Sequence, residues 1–190
     1  ADVALAARRV DRLTALAAEL ERAGRRAVAI ACDVTRDGDP GRAVAEAHAA
    51  LGRVDVAVAN AGFGVVGPFE RLSLDDYRRQ FETNVFGVLR TAAAALPELR
   101  KTRGRLVIMG SVAGHWAMPG ASPYAMSKFA VRAFAEALRH ELWPDVAVTD
   151  GVLAVCLTEI RQARGDDAKN PRYIETVHRR GYRFIALLTP

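Results

Sequence analysis

Long apolar runs, paired cysteines and metal-ligand spacings are all missing from this sequence of 190 residues. No stretch approaches the roughly 20 apolar residues that a helical membrane span needs. The chain opens at Ala1 on a strand-like run, not on a charged-then-apolar secretion signal. A soluble, cytoplasmic protein with no membrane partner is expected. The two cysteines, Cys32 and Cys156, sit in apolar runs far apart in sequence. That argues against a disulfide, and neither cysteine has a metal-ligand neighbour, so no metal is expected. Charge of one sign is lacking too. The net charge is +5, divided as +3 over 1–146 and +2 over 147–190, too little for either part to claim nucleic acid on charge alone. Apolar matter is not short. At 51% hydrophobic, the chain has enough for one large domain or one and a half small ones.

The apolar residues follow two periods in alternation. Residues 1–7 read as a short strand ending at Arg8 and Arg9. Over 10–23, Val10, Leu13, Leu16, Ala17 and Leu20 share one helical face, and Gly24 stops that helix. Residues 27–31 form a second apolar strand ending at Asp33, followed by a helix over about 41–51 closed by Gly52. A third strand spans 54–59, then a Gly-rich loop from Asn60 to Pro68. Ser73 caps a long helix over 74–99 with a break expected near Pro97. A fourth strand covers 105–109, and 124–142 is helical after a loop. Strands alternating with helices predict crossover units and a parallel sheet. Strands apolar on both sides predict helices on both faces. Ligands of such sheets bind at the carboxyl ends of the strands. Here those ends carry Arg8 and Arg9, Asp33, the Asn60-Ala61-Gly62 run, and Gly110-Ser111.

Tyr124 and Lys128 are four residues apart on a helix and share a face. An ammonium beside a phenol favours the phenolate, which lets a tyrosine trade a proton with an alcohol or carbonyl oxygen. Ser111 follows a strand and can hydrogen-bond the same oxygen. Asn84 lies inside the preceding helix, where an inward polar side chain needs a reason. From these residues alone, a surface Tyr and Lys, a loop Ser and a capping Asn stay open as alternatives.

The ordered set narrows the choice. Asn-Ala-Gly at 60–62, Asn-Val-Phe-Gly at 84–87, Gly-Ser at 110–111 and Tyr-Ala-Met-Ser-Lys at 124–128 together resemble the short-chain dehydrogenase/reductase family. So do LAARR (5–9), CDVT (32–35) and SPYAMSKFAVRAFAEALRHEL (122–142). The resemblance covers about 1–145. It implies a Rossmann-like doubly wound sheet and an NAD(P)-dependent oxidoreductase that interconverts an alcohol and a carbonyl. By that resemblance Tyr124 is the catalytic acid/base. Lys128 assists it and holds the nicotinamide ribose, Ser111 orients the substrate carbonyl, and Asn84 holds a backbone kink and a water of the proton relay. Asn60, Ala61 and Gly62 let the cofactor lie against the backbone, and Asp33 and Val34 border its adenine. Arg8 and Arg9 stand where the ribose 2′ position is read. Arginine there suits the 2′-phosphate of NADP, and an acid would suit NAD. No acid comes before Asp11, so NADP is expected, with NAD as the alternative. The partner is a small-molecule carbonyl or alcohol, and a homo-oligomer is left open.

Two departures from the family stand out. Its first strand and Gly-rich turn, which offer backbone N–H groups to the pyrophosphate, have no counterpart before 1–7. The sheet is therefore expected to be incomplete, the chain a fragment, and activity in this form in doubt. Strands 1–7 and 54–59 would face a gap of about 10 Å, two strand spacings wide.

At the other end, residues 159–186 resemble the C-terminal half of a winged helix–turn–helix DNA-binding domain of the response-regulator type. The pattern P-R-Y-I-E-T-V followed by G-Y-R-F carries the match over 171–184. The expected division is a partial oxidoreductase domain over 1–146 and a partial winged-helix segment over 147–190. The latter would be a helix over 151–163 capped by Asp150 and a β-hairpin over 172–186. Residues 142–149 suit both families: helix end then strand in one, helix end and loop in the other. The alternative function is thus a remnant of a DNA-binding transcriptional regulator. Arg161, Arg164, Arg179, Arg180 and Arg183 are its candidate phosphate contacts. Nucleic acid is expected only through 147–188.

Overall fold

The structure is a computed structural model. It describes residues 1–142 in full and the strands 147–150, 174–177 and 181–184 as backbone. In the first unit, Ala1–Asp150, strands and helices alternate as the periodicity requires. They are β1 (Val3–Ala7), α1 (Val10–Arg22), β2 (Ala27–Ala31), α2 (Asp39–Leu51), β3 (Val56–Ala59), α3 (Leu74–Phe81), α4 (Gly87–Thr102), β4 (Arg105–Ile108), α5 (Ser122–Leu142) and β5 (Ala147–Asp150). Gly52 ends α2 in the left-handed conformation (φ 85°), which a side chain would strain, and its N–H closes on the His48 carbonyl at 2.7 Å.

All strand pairs of this unit are parallel, in two sheets. β1 lies beside β2, with Leu5 opposite Ala29, and β3–β4–β5 form a second sheet with Val58 opposite Val107. Among the described residues, β1 and β3 each have a strand partner on one side only. Two cores follow. Ala59 of β3, Leu106 and Ile108 of β4, Val88, Ala92, Ala95 and Leu99 of α4, and Val131, Leu138 and Leu142 of α5 pack together. Ile30 and Cys32 pack with Ala43 and Ala47 of α2. Burying one such Leu or Ile contributes about 1.5–3 kcal/mol.

Several expectations need correction. Strand β3 is covered on one face only: Val56 and Val58 are 53% and 52% exposed, while Ala59 is buried. On α1 only Ala17 is buried, and Val10 and Leu16 face solvent. The long helix does not break at Pro97, which α4 accommodates in its interior. The interruption lies earlier, in a π turn over Glu82–Phe86. The residue four before Pro97, whose carbonyl would otherwise take the missing N–H, is Ala93, on the exposed side of α4. The π turn instead places Asn84 inward, fully buried.

The junction also resolves in part. α5 ends at Leu142, and β5 pairs in parallel with β4, with Val148 opposite Leu106. Asp150, expected as a helix cap, is the last residue of β5. In the second unit, Gly151–Pro190, β6 (Ile174–Val177) pairs antiparallel with β7 (Gly181–Phe184), with Thr176 opposite Tyr182. The helix expected over 151–163, the ends of the expected hairpin, Cys156 and the arginines at 161, 164, 179 and 180 lie outside the described residues. No helix among the described residues is long and apolar enough to cross a membrane.

Candidate active site

A cleft of about 250 Å³ opens at the carboxyl end of β3, lined by Asn60, Gly62, Phe63, Gly64, Tyr124 and Lys128. Two elements make it: the loop that leaves β3 and the first two turns of α5. Helical spacing puts Tyr124 and Lys128 on one face, and the Lys128 Nζ stands 5.8 Å from the centroid of the Tyr124 ring. Lys128 is 7% exposed. Its Nζ donates to the Met109 carbonyl at 2.7 Å, just past β4. A buried ammonium so anchored is fixed in place beside the tyrosine. Gly114 backs this arrangement, since a Cβ there would come within 2.9 Å of the Lys128 carbonyl. The hydroxyls of Tyr77 and Ser122, 2.6 Å apart, tie α3 to the start of α5.

Beneath the loop lies a buried polar network. Asn84 Oδ1 accepts the Phe63 N–H at 3.0 Å, and its Nδ2 donates to the Phe63 carbonyl at 2.9 Å and to Ser127 Oγ at 3.2 Å. Ser127 Oγ donates in turn to the Tyr124 carbonyl at 2.7 Å. Asn84 is therefore no helix cap. It links the β3 loop to the α5 turn that bears the tyrosine. One turn before it, Gln80 Oε1 accepts the Val65 N–H at 2.7 Å and its Nε2 donates to the Phe63 carbonyl at 2.5 Å. Sequence reasoning missed Gln80, Ser127 and the Met109 carbonyl. A polar residue four before Asn84 was the available signal for Gln80.

Of the residues singled out in the sequence, Asn60, Gly62, Tyr124 and Lys128 line one cleft and Asn84 supports its wall. Ser111 stands at the end of β4, where its Oγ accepts the Ala113 N–H at 3.1 Å and caps a short 3₁₀ turn. Neither it nor Ala61 is among the residues lining the cleft. Arg8 and Arg9 are exposed beyond β1. The Asp33 carboxylate accepts the N–H and the hydroxyl of Thr35 at 3.0 and 2.8 Å. Those bonds, the backbone one foremost, hold its pKa below the ordinary value, and Arg8 and Arg36 add to the effect. Val34 packs where Gly87 leaves room, since a Cβ on Gly87 would come within 2.7 Å of it. Arg90, paired with Asp37 and Glu82, also donates to the Val34 carbonyl at 3.4 Å. No group of His, Cys, Asp and Glu among the described residues has a metal-binding arrangement.

Comparison with known proteins gives this geometry a context. The family model for short chain dehydrogenase matches residues 1–169. An uncharacterized oxidoreductase of Staphylococcus saprophyticus is 36% identical over 143 residues, covering 74% of this chain and 57% of that protein. An alcohol dehydrogenase from Thermococcus sibiricus, solved with 5-hydroxy-NADP, superposes with a TM-score of 0.75 at 33% identity, over 78% of this chain and 63% of that one. A short-chain dehydrogenase/reductase from Burkholderia phymatum in complex with NAD gives 0.74 at 27% identity, over 78% and 54%. The matched part of the chain spans between 25% and 57% of the length of the curated relatives. Parallel strands alternating with helices, a tyrosine and a buried lysine one turn apart in a cleft, and a family match through residue 169 lead to one assignment: the chain belongs to the short-chain dehydrogenase family.

Proposed function

We propose that this chain acts as an NAD(P)-dependent oxidoreductase that interconverts an alcohol and a carbonyl, with Tyr124 as the acid/base. The buried Lys128 ammonium beside the Tyr124 ring carries this reading. Its charge stabilises the negative charge that develops on the phenol oxygen as Tyr124 gives its proton to a carbonyl oxygen. Ser111, whose O–H is not spent in its cap, orients that carbonyl once substrate is present. Asn84 keeps the loop and the tyrosine's turn in register. The site suits a dinucleotide: Gly62 and Gly64 line the cleft beside Asn60 without side chains of their own, and a Cβ on Gly62 would press to 3.1 Å from Asn84 Oδ1. When bound, the nicotinamide supplies or accepts the hydride. Asn60, Ala61 and Gly62 would hold it along the β3 loop, Lys128 at its ribose, and Asp33 and Val34 at its adenine. We take NADP as the cofactor and NAD as the lesser alternative. Arg8 and Arg9 are exposed at the β1 end, whereas the Asp33 carboxylate is already engaged by Thr35. Oxidation of NADPH by the full chain against a panel of ketones and aldehydes tests the reading. Absence of any cofactor-dependent turnover and of any cofactor binding would overturn it.

A second reading attaches to the C-terminal unit, because Ile174–Val177 and Gly181–Phe184 pair antiparallel on the segment that resembles a winged-helix wing. It competes with the family match, which runs to residue 169 through the stretch the recognition helix would need. Binding to duplex DNA that weakens steeply with salt would support it.

A further inference from the structure

Four polar or charged residues are buried among the described residues: Gln80, Asn84, Ser127 and Lys128. Three of them already have a place around Tyr124. The fourth, Gln80, has no exposed surface and sits in the last turn of α3. Its carboxamide takes the Val65 N–H at 2.7 Å and gives to the Phe63 carbonyl at 2.5 Å, so it grips the loop on either side of Gly64. In a parallel ladder a single residue meets the carbonyl of one position and the N–H two positions on. The Gln80 side chain reproduces that pairing where the loop has no strand beside it. Phe63 has a second holder in Asn84, but Val65 N–H has Gln80 alone among the described hydrogen bonds. Between the two gripped residues, Gly64 lies against the Tyr124 ring: a Cβ on it would stand 3.6 Å from the ring's Cδ2. A shift of the loop toward the ring takes up the space that a side chain at Gly64 would fill, and a shift away opens the cleft wall.

We propose that Gln80 is a positioning residue for the proton-transfer site: by clamping Phe63 and Val65 it holds Gly64 against the ring of Tyr124. The catalytic consequence rests on the oxidoreductase reading above, whereas the clamp itself does not.

The test uses the full chain with Gln80→Leu and Gln80→Glu, and three readouts. These are amide hydrogen exchange at Val65, the NMR signals of the Tyr124 ring, and kcat beside the cofactor Kd. In Gln80→Leu, Val65 exchanges at least about tenfold faster, as loss of one hydrogen bond requires, and the Tyr124 ring signals move. Turnover falls about a hundredfold, and by more than any loss of cofactor affinity, the signature of a misplaced reacting group. In Gln80→Glu the carboxylate repels the Phe63 carbonyl, but its protonated form donates to it again. The Val65 N–H keeps its acceptor in either form, whereas the Tyr124 ring signals and kcat in that variant recover as pH is lowered, relative to the unsubstituted chain, and no such recovery occurs with leucine. The same pH recovery decides the matter if the leucine variant does not fold. Unchanged Val65 exchange and ring signals in Gln80→Leu would overturn the proposal, as would a glutamate variant with no pH recovery. Unchanged kcat, or a parallel collapse of kcat and cofactor binding, counts equally against it. A chain that turns over no carbonyl speaks against the oxidoreductase reading instead, and exchange and ring signals then still judge the clamp.

Discussion

Asn84 holds Phe63 by both of its backbone polar groups, taking the N–H at 3.0 Å and giving to the carbonyl at 2.9 Å. The loop that walls the cleft is thus fastened from below by a side chain that a π turn pushes inward. The same amide reaches Ser127, and through it the carbonyl of Tyr124.

Replacing Asn84 with leucine keeps roughly the side chain's size and strands those partners. The Phe63 N–H loses its only described acceptor, at a cost of about 1–3 kcal/mol. Urea denaturation monitored by circular dichroism should show that loss. A midpoint unchanged from that of the unsubstituted chain would contradict it.

Tyr124→Phe removes the proton and leaves the ring against Gly64. Turnover should drop by about 10²–10⁴, the usual contribution of a positioned acid/base, with cofactor affinity nearly unchanged. Steady-state rates together with fluorescence titration of the cofactor separate the two effects. Retained turnover would remove Tyr124 from the role proposed for it.

Arg8→Ala with Arg9→Ala should weaken NADPH by about tenfold or more, the worth of a charge-assisted hydrogen bond to phosphate. NADH affinity should stay within about twofold. Equal losses for both cofactors, or none for either, would show that the 2′-phosphate is read elsewhere.

Two glycines should respond in opposite senses to alanine. At Gly114 the added Cβ would come within 2.9 Å of the Lys128 backbone carbonyl, so overpacking should cost about 1–3 kcal/mol. At Gly41, inside α2, nothing lies within 4 Å of the added Cβ. Alanine there should stabilise by about 0.5–1 kcal/mol, through helix propensity and lower unfolded-chain entropy. Melting temperatures of the two variants check both signs.

Acid should destabilise the chain through identifiable carboxylates. The Asp39 pKa is held below its ordinary value chiefly by the Asp33 N–H and then by Arg42. The Asp76 pKa is lowered chiefly by the Ser73 N–H in the capping box that starts α3. A depressed folded-state pKa contributes stability that is present above the unfolded value, about 3.9, and is lost as pH falls through the folded one. Stability should therefore decline below about pH 4. Asp39→Asn and Asp76→Asn should each flatten that decline, because neither variant has a carboxylate left to protonate. Urea midpoints measured across this range would show otherwise if the slopes of all three proteins coincide.

Much of this was legible in the sequence, because it is local. Two apolar periods distinguish strands from helices, so the order from β1 to α5 could be read directly. The four-residue spacing of Tyr124 and Lys128 brings them to one face on any α-helix. The motifs of the family are likewise contiguous in sequence. What the tertiary structure decided is where a residue's partners come from elsewhere in the chain. Whether 147–150 paired as a strand depended on the exposed edge of β4, since the same residues suited a loop. Val56 and Val58 look buried by composition, yet only packing reveals that one face of β3 is open. Gln80 reads as an ordinary polar helix residue until the loop 15 to 17 positions earlier folds over it. Helix period and side-chain chemistry are properties of neighbours in sequence, whereas burial and the second partner of a hydrogen bond are properties of neighbours in space.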